Sequence, residues 1–183
     1  MIKPWERSSS EYCGDYRIFR VRRDKSISPR SGKEHDFFIL ETAEWVNVIP
    51  VTSDGQIVLI RQYRHGTRAV ELEIPGGLVE AGEAPAVAGR REMREETGYD
   101  TETIVHLGTI APNPAIQNNR CHYYLAANAR YEGSQALDSG EDIEVLLVDQ
   151  EDIPALIAEG KIRHGIMVAA FYYLELHRIG AGA

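Results

Sequence analysis

The stretch from Gly77 to Gly98 constrains the fold of this chain most, because it combines clear helix boundaries with a dense pattern of charge. It reads GLVEAGEAPAVAGRREMREETG. Pro85 suits the first turn of a helix, where its missing N–H costs no hydrogen bond, and Gly98 suits the position just beyond a helix end. The residues between them are mostly good helix formers. The sequence therefore predicts a helix that begins at about Pro85 and ends before Gly98.

Three carboxylates of this helix, Glu92, Glu95 and Glu96, fall on one face, where like charges repel one another. A solvated acidic face is the ordinary interpretation of such a pattern. The alternative is a site for a hard divalent cation, because Mg²⁺ binds carboxylate oxygens together with substrate phosphates. The preceding segment Glu73-Ile74-Pro75-Gly76-Gly77 is predicted to be a strand end that runs into a turn, where the glycine backbone can approach a ligand closely. This combination favours the cation site.

Length and composition limit the class of protein. With 183 residues, 43% hydrophobic and 26% charged, the chain is predicted to be one soluble globular domain over residues 1–183. The net charge of −8 argues against a nucleic-acid or membrane-surface partner, which would require a basic face. No apolar run approaches the length of a membrane span, and MIKPWERSSS lacks a signal core, so we expect a cytoplasmic protein. Cys13 and Cys121 form no metal-ligand pattern and are expected to be free thiols.

Periodicity predicts a chain of strands interrupted by the charged helix and followed by two further helices. The predicted strands cover residues 16–23, 36–41, 45–51, 56–63, 69–74, 103–110, 121–127 and 143–148, with a loop over 24–34. The C-terminal helices are predicted over residues 153–159 and 165–178. This order of elements predicts an α+β sandwich.

The charged stretch resembles a known family signature, the Nudix box. The pattern runs from Gly77 through Glu83 and Arg91-Glu92-Met93 to Glu95-Glu96 and Gly98-Tyr99, and only Tyr99 departs from it, since an aliphatic residue is usual there. The resemblance covers nearly the whole chain. It implies the Nudix fold, a mixed β-sheet sandwich flanked by α-helices, with the box as a loop-helix-loop.

The resemblance also implies a metal site in the box. Glu92 and Glu96 resemble the principal ligands, Glu95 an accessory ligand, and the carbonyl of Gly76 the backbone ligand. The implied cofactor is Mg²⁺, with Mn²⁺ as a substitute. Four further positions of the motif are expected to have structural roles: Gly77, Glu83, Arg91 and Gly98.

Outside the box, the chain is similar to the branch of ADP-ribose pyrophosphatases and nucleoside diphosphate sugar hydrolases. The segments that carry this similarity are Arg61-Gln62-Tyr63-Arg64, the run from Glu71 to Gly77, and Pro114. The resemblance implies that Arg64 contacts the pyrophosphate, and that Arg61, Glu73 and Pro114 belong to the substrate site. Trp45 lies near a position where relatives stack an aromatic ring on the base; core packing is the equal alternative.

Two loops carry the remaining candidates. The acidic loop Asp138-Ser139-Gly140-Glu141-Asp142 places Glu141 where the branch has a glutamate that binds metal or accepts a proton, although a plain charged hairpin loop is an alternative. Glu95 and Asp138 are the next candidates for the base. Asn119 replaces a glutamate that contacts the sugar in relatives, and an amide both donates and accepts hydrogen bonds. An altered preference for the terminal sugar is therefore expected.

The implied activity is Mg²⁺-dependent hydrolysis of nucleoside diphosphate sugars by a metal-activated water, with ADP-ribose giving AMP and ribose 5-phosphate. The alternatives are a preference for GDP-mannose or ADP-glucose, or a Nudix domain that senses such ligands without cleaving them. The intact set Glu92, Glu95 and Glu96 argues against the sensor. The resemblance also implies a homodimer, to which the N-terminal strands, about residues 1–50, contribute.

Overall fold

The computed structural model describes residues 1–181, and its contacts divide the chain into two compact units. The first unit consists of residues 1–44 and 111–120. The second consists of residues 45–110 and the chain from Cys121 onward. The single domain over residues 1–183 stays a prediction; within it, the N-terminal strands and the charged helix lie in different compact units.

The first unit is built on a three-stranded antiparallel sheet in the order β1-β2-β3. Its strands are β1 (Glu6–Asp15), β2 (Arg20–Ile27) and β3 (Glu34–Glu41). The sequence prediction was wrong here: residues 16–19 form the turn between β1 and β2, and β2 extends into the predicted loop. Strand β1 was missed because its residues ERSSSEYCGD include no β-branched residue; polar cross-strand contacts such as Ser10 to Asp24 hold it in place instead.

The second unit contains a mixed eight-stranded sheet. Its strands are β4 (Trp45–Thr52), β5 (Gln56–Arg64), β6 (Ala69–Glu73), β7 (Gly76–Leu78), β8 (Tyr99–Asp100), β9 (Thr103–Ile110), β10 (Cys121–Tyr131) and β11 (Ile143–Asp149). β10 pairs parallel to β4, and the remaining ladders are antiparallel. The predicted strands from residue 45 onward are confirmed to within a few residues, but β7 and β8 were missed because they are too short to show periodicity. The predicted glycine turn is thus partly wrong, since Gly76 and Gly77 pair with β4.

The helices follow the prediction closely. They are α1 (Pro85–Thr97), α2 (Ile153–Ala158) and α3 (Gly165–Ala181), with a short 3₁₀ turn at Gln150–Asp152. α1 ends as expected at Gly98, which adopts the left-handed conformation (φ +72°) and donates its N–H to the carbonyl of Arg94. α1 packs against β4 through Ala88 and Met93, whereas α3 packs into a separate core cluster. None of the helices among residues 1–181 is long and apolar enough to cross a membrane.

The sheet splits where β4 and β5 diverge. The ladder between these strands is Val51 to Ile57. Beyond it, the start of β4 pairs with β7 and the end of β5 pairs with β6. This split opens a gap between the β4–β7 and β5–β6 pairs, and the start of β4 and the end of β5 both face into it.

Candidate active site

A cavity of about 1,320 Å³ lies in the second unit between these two pairs of strands. Its walls come from β4–β7 and β5–β6, from one face of α1, from the loop before β11 and from the start of α3. The predicted residues that it brings together are Trp45, Arg64, Glu73, Gly76, Gly77, Arg91, Glu92, Glu95, Glu96 and Glu141. The split of the sheet therefore collects most of the candidate residues in one place.

The carboxylates of α1 form the acidic side of the cavity. Glu96 is only 3% exposed and accepts a hydrogen bond of 2.8 Å from the N–H of Gly76, so the start of β7 is tied to the helix. Glu92 is largely buried and Glu95 is more exposed. The acidic helix face is thus turned into a cavity, and the solvated alternative does not hold for Glu92 and Glu96.

Burial raises the pKa of Glu96 to about 8; the N–H of Gly76 opposes this, and the charges of Glu92 and Glu141 add to it. Burial also raises the pKa of Glu92. Arg91 acts to lower this pKa, whereas the charges of Glu95 and Glu141 act to raise it further. These carboxylates therefore lack sufficient positive charge nearby. A divalent cation would supply that charge, and carboxylate oxygens are the ligands that hard cations prefer.

No three acidic, histidine or cysteine side chains among residues 1–181 already converge as a metal cluster. Glu92 and Glu95 instead accept hydrogen bonds from Nη1 of Arg91, at 2.8 Å and 3.0 Å. The ligand set Gly76, Glu92, Glu95, Glu96 and Glu141 remains a prediction, supported by the shared cavity and by the mutual repulsion of its carboxylates.

Arg91 also connects the loop of the box to its helix. Its Nε and Nη2 donate to the two carboxylate oxygens of Glu83 at 3.1 Å, and Nη2 donates to the carbonyl of Leu78 at 3.1 Å. A Cβ at Gly77 would lie 2.4 Å from the carboxyl carbon of Glu92, so any larger residue there would require the Glu92 side chain to shift. These contacts support the structural roles expected for Arg91, Glu83 and Gly77.

The opposite side of the cavity is basic. Glu73 is 1% exposed and accepts two hydrogen bonds from Arg64, at 3.2 Å from Nε and 2.7 Å from Nη2. The Nδ1 of His164 lies 3.2 Å from the same carboxylate. Burial acts to raise the pKa of Glu73, but the hydrogen bonds from His164 and Arg64 outweigh it and lower the pKa to about 2. Glu73 is therefore ionised and holds both partners in place.

A second buried carboxylate on β6, Glu71, holds Arg163 through hydrogen bonds of 2.9 and 2.8 Å. Arg163 and His164 were not among the predicted site residues, because each lies more than 90 residues along the chain from its partner. The available signal was the spacing of Glu71 and Glu73, which lie two residues apart in a predicted strand and therefore on one face of it.

Glu141 lies in the loop that the sequence predicted. Its N–H donates to the carbonyl of Asp138, and its carboxylate accepts from the N–H of Asp138, both at 2.9 Å. Both residues line the cavity. The charge of Glu141 acts on Glu92, Glu96 and Arg64, so this carboxylate is close to both the acidic and the basic side.

Of the remaining candidates, Trp45 lines the cavity, whereas Arg61, Pro114 and Asn119 do not. Trp45 lines the cavity and also packs against the core cluster, which agrees with both of its interpretations. Arg61 is not among the cavity residues; its Nη1 donates to Glu144 at 3.1 Å across the β5–β11 ladder. Pro114 and Asn119 belong to the first unit. Asn119 is 5% exposed, and its side-chain amide has no hydrogen-bond partner among the described residues.

The family model of the NUDIX domain matches residues 41–171, which include the whole charged stretch and the residues around this cavity. The chain belongs to the Nudix family. This confirms the family that the sequence resembled. Nudix hydrolases generally use divalent metal ions.

Particular relatives place the chain within the family. It is 30% identical over 147 residues to the ADP-ribose pyrophosphatase of Bacillus subtilis (strain 168), a match that covers 80% of each chain. It is 33% identical over 132 residues to the methanol dehydrogenase activator of Bacillus methanolicus, covering 72% of this chain and 71% of that protein. The crystal structure of an ADP compounds hydrolase matches 100% of this chain and 98% of its own, with a TM-score of 0.88 and 21% identity. This likeness confirms the predicted Nudix fold.

Proposed function

We propose that the protein hydrolyses the pyrophosphate bond of nucleoside diphosphate sugars, with ADP-ribose as the preferred substrate and AMP and ribose 5-phosphate as products. The observation that carries the proposal is that the buried carboxylates of α1 and the guanidinium of Arg64, which is held by Glu73, line the same cavity. A relative named ADP-ribose pyrophosphatase, similar over 80% of the chain, supports the choice of substrate.

The proposed cofactor is Mg²⁺, with Mn²⁺ as a substitute, held by Glu92, Glu95, Glu96, Glu141 and the carbonyl of Gly76. When bound, such an ion neutralises phosphate charge and lowers the pKa of a bound water. The fit rests on the oxygen donors of the site and on the repulsion among its carboxylates.

The side chains of the site then have distinct tasks. Water adds to one phosphorus, the bond from that phosphorus to the bridging oxygen breaks, and the departing phosphate keeps the electron pair. Glu141 accepts the proton of the water, with Glu95 and Asp138 as the next candidates. Arg64 donates hydrogen bonds to the diphosphate from the N–H groups that Glu73 does not use. Trp45 stacks on the base.

Specificity and assembly belong to the same proposal. Asn119, which stands where relatives have a glutamate, broadens the preference for the terminal sugar. A preference for GDP-mannose or ADP-glucose is the alternative. We further propose a cytoplasmic homodimer of a single Nudix domain, with contacts from the N-terminal strands.

The test is phosphate release from a panel of nucleoside diphosphate sugars with Mg²⁺, coupled to a phosphatase that acts only on monophosphate products. Nucleoside triphosphates and dinucleoside polyphosphates serve as controls. We expect the highest kcat/KM with ADP-ribose. Binding of these ligands without turnover would overturn the proposal in favour of a sensor, and turnover of only the control nucleotides would overturn the substrate class.

A further inference from the structure

The wall formed by β5, β6 and the start of α3 carries three basic side chains, and the proposed function uses only Arg64. The others, Arg163 and His164, directly precede α3 and line the same cavity. We propose that Arg163 and His164 form an anion-binding subsite for the phosphoryl group of the sugar half of the substrate. This inference rests on the proposed function, because that phosphoryl group leaves with the sugar.

Two buried carboxylates fix the orientation of this wall. Glu71 and Glu73 are 5% and 1% exposed and alternate on β6, so their side chains lie on the same face with Cα atoms about 6.6 Å apart. Glu71 holds Arg163 by two hydrogen bonds, and Glu73 holds Arg64 and His164. The guanidinium groups of Arg163 and Arg64 are therefore each anchored by a carboxylate of the same strand face, and both line the same cavity.

Arg163 keeps donors for a ligand. A guanidinium has five N–H groups, and the pair with Glu71 uses the one on Nε and one on Nη2. In residues 1–181 no other hydrogen bond of Arg163 is found, and its side chain is half-exposed at the cavity. The outer edge formed by Nη1 and Nη2 suits a phosphate, to which two parallel N–H groups can donate.

Stability does not account for this arrangement. A buried carboxylate that is paired with a partly exposed cation contributes little compared with apolar residues of similar size. Two such pairs on one strand, both at the wall of one cavity, are better explained by a ligand that they serve.

The wall formed by β4 and β7 differs chemically from the basic wall, and this difference predicts the orientation of the substrate. On β4 and β7, Trp45 and Leu78 pair across the ladder and offer an aromatic and an aliphatic surface. This surface suits a nucleobase, whereas the α3 wall adds the positive end of a helix to its basic side chains. The substrate is therefore expected to lie with its base at Trp45 and its sugar phosphate at Arg163.

The test compares Arg163→Gln with Arg178→Gln, a matched control in which a partly exposed arginine within α3 loses its pair with a glutamate. Binding of ribose 5-phosphate and of AMP to the full chain is measured by calorimetry with Mg²⁺ present. For Arg163→Gln we expect the Kd of ribose 5-phosphate to rise about tenfold, because a hydrogen bond to a charged group is lost, and the Kd of AMP to stay within about twofold. The control should match the parent protein for both ligands.

Kinetics separate recognition from a structural role. For Arg163→Gln the KM for ADP-ribose should rise about tenfold with a smaller change in kcat, and Arg163→Lys should restore part of the loss. Glu71→Gln, a change in the positioning residue, should raise the Kd of ribose 5-phosphate in the same selective way.

Several outcomes would overturn the inference: no binding of ribose 5-phosphate by the parent protein, an unchanged Kd in Arg163→Gln, or an equal loss for AMP. Calorimetry requires no turnover, so these outcomes are distinct from a failure of the proposed function, which would appear as absent hydrolysis by the parent protein.

Discussion

Glu96 shows how far the tertiary structure changes a single residue. In the sequence it is one of three glutamates on a charged helix, but in the fold it is buried, hydrogen-bonded to the backbone of β7 and repelled by two other carboxylates. A buried carboxylate in this position lowers the stability of the protein without a bound cation, but it can serve as a ligand when a cation binds.

Glu96→Gln is expected to lower kcat for ADP-ribose at least about 100-fold, because it removes a charge from the proposed metal site. The amide oxygen can still accept the hydrogen bond from Gly76, so the melting temperature in EDTA should equal or exceed that of the parent. Glu175→Gln, the same change on the exposed face of α3, is the control. Parent-like turnover at matched stability would rule out Glu96 as a ligand.

Glu141→Gln tests the proposed base. Turnover should fall about 100-fold, because a proton acceptor typically contributes that much to a hydrolysis. The measurement is kcat with saturating Mg²⁺ and ADP-ribose, beside Asp142→Asn as a neighbouring control. If Glu141→Gln keeps the parent rate, the base lies elsewhere, with Glu95 and Asp138 as the next variants to make.

At the scale of elements, α1 is held between two kinds of contact. One side packs closely on β4, where a Cβ on Gly89 would lie 2.8 Å from Cγ2 of Val48 and 3.0 Å from Cγ2 of Val46. Away from this contact, Arg90 pairs with the buried Asp100 of β8 at 2.6 and 3.0 Å. The helix therefore presents its carboxylates to the cavity from a fixed position.

Gly89→Ala should lower the free energy of unfolding by about 1–3 kcal/mol, because the added methyl group overpacks the contact with β4. The sign of the change in stability is informative, because Gly→Ala in an unhindered helix raises the free energy of unfolding by up to about 1 kcal/mol. Gly180→Ala in α3 is the matched control, because a Cβ there meets nothing within 4 Å. Urea unfolding of both variants measures the difference, and equal stabilities would contradict the close packing.

Asp100 is expected to make stability depend on pH. Burial acts to raise its pKa, but the hydrogen bonds from Arg90 and the N–H of Thr101 outweigh it, so the pKa lies below the ordinary value of 3.8. A lowered pKa in the folded state stabilises the protein above pH 3.8, and this contribution is lost as the pH falls through the folded value. The ion pair therefore stabilises the folded protein at neutral pH, and this stabilisation is lost in acid.

Asp100→Asn should accordingly cost about 1–3 kcal/mol at pH 7, with a cost that shrinks as the pH drops below 3.8. Urea unfolding of the parent and the variant at a series of pH values measures this. The exposed Asp36→Asn serves as the control, and a cost for Asp100→Asn that stays constant down to pH 2 would refute the assignment.

At the scale of the whole molecule, the first unit carries exposed aromatic side chains on its sheet, among them Tyr12, Phe37 and Phe38. Side chains alternate along a strand, so Tyr12 and Phe37 lie on one face of this sheet and Phe38 lies on the other. Exposed aromatic side chains on both faces are consistent with the proposed homodimer. Phe38, which is 55% exposed, should therefore lie in the contact between two copies.

Phe38→Ser is expected to shift the protein from dimer to monomer in sedimentation experiments, with an unchanged circular dichroism spectrum. Tyr172→Ser, a similar change on the exposed face of α3, should leave the dimer intact. A parent protein that sediments as a monomer would reject the homodimer, and a dimeric Phe38→Ser would place its contact elsewhere.

Much of this molecule could be predicted from its sequence, because the signals were local. The boundaries of α1, the strands rich in β-branched residues and the carboxylates of the box follow from spacing and side-chain type within a few residues. Predictions failed where the local signal was weak, as in the serine-rich β1 and the short β7 and β8.

The sequence by itself determined that this chain forms an α+β fold with an acidic helix, since periodicity and side-chain spacing encode both, and its resemblance to the Nudix box implied the family. Only the tertiary structure decided which charges meet. The divergence of β4 and β5 opens the cavity, and the packing of α1 on β4 leaves Glu92 and Glu96 facing it. The tertiary structure also brings Arg163 within hydrogen-bonding distance of Glu71, across 92 residues of chain. Such partners are set by the pairing of distant strands and helices, and no local pattern specifies them.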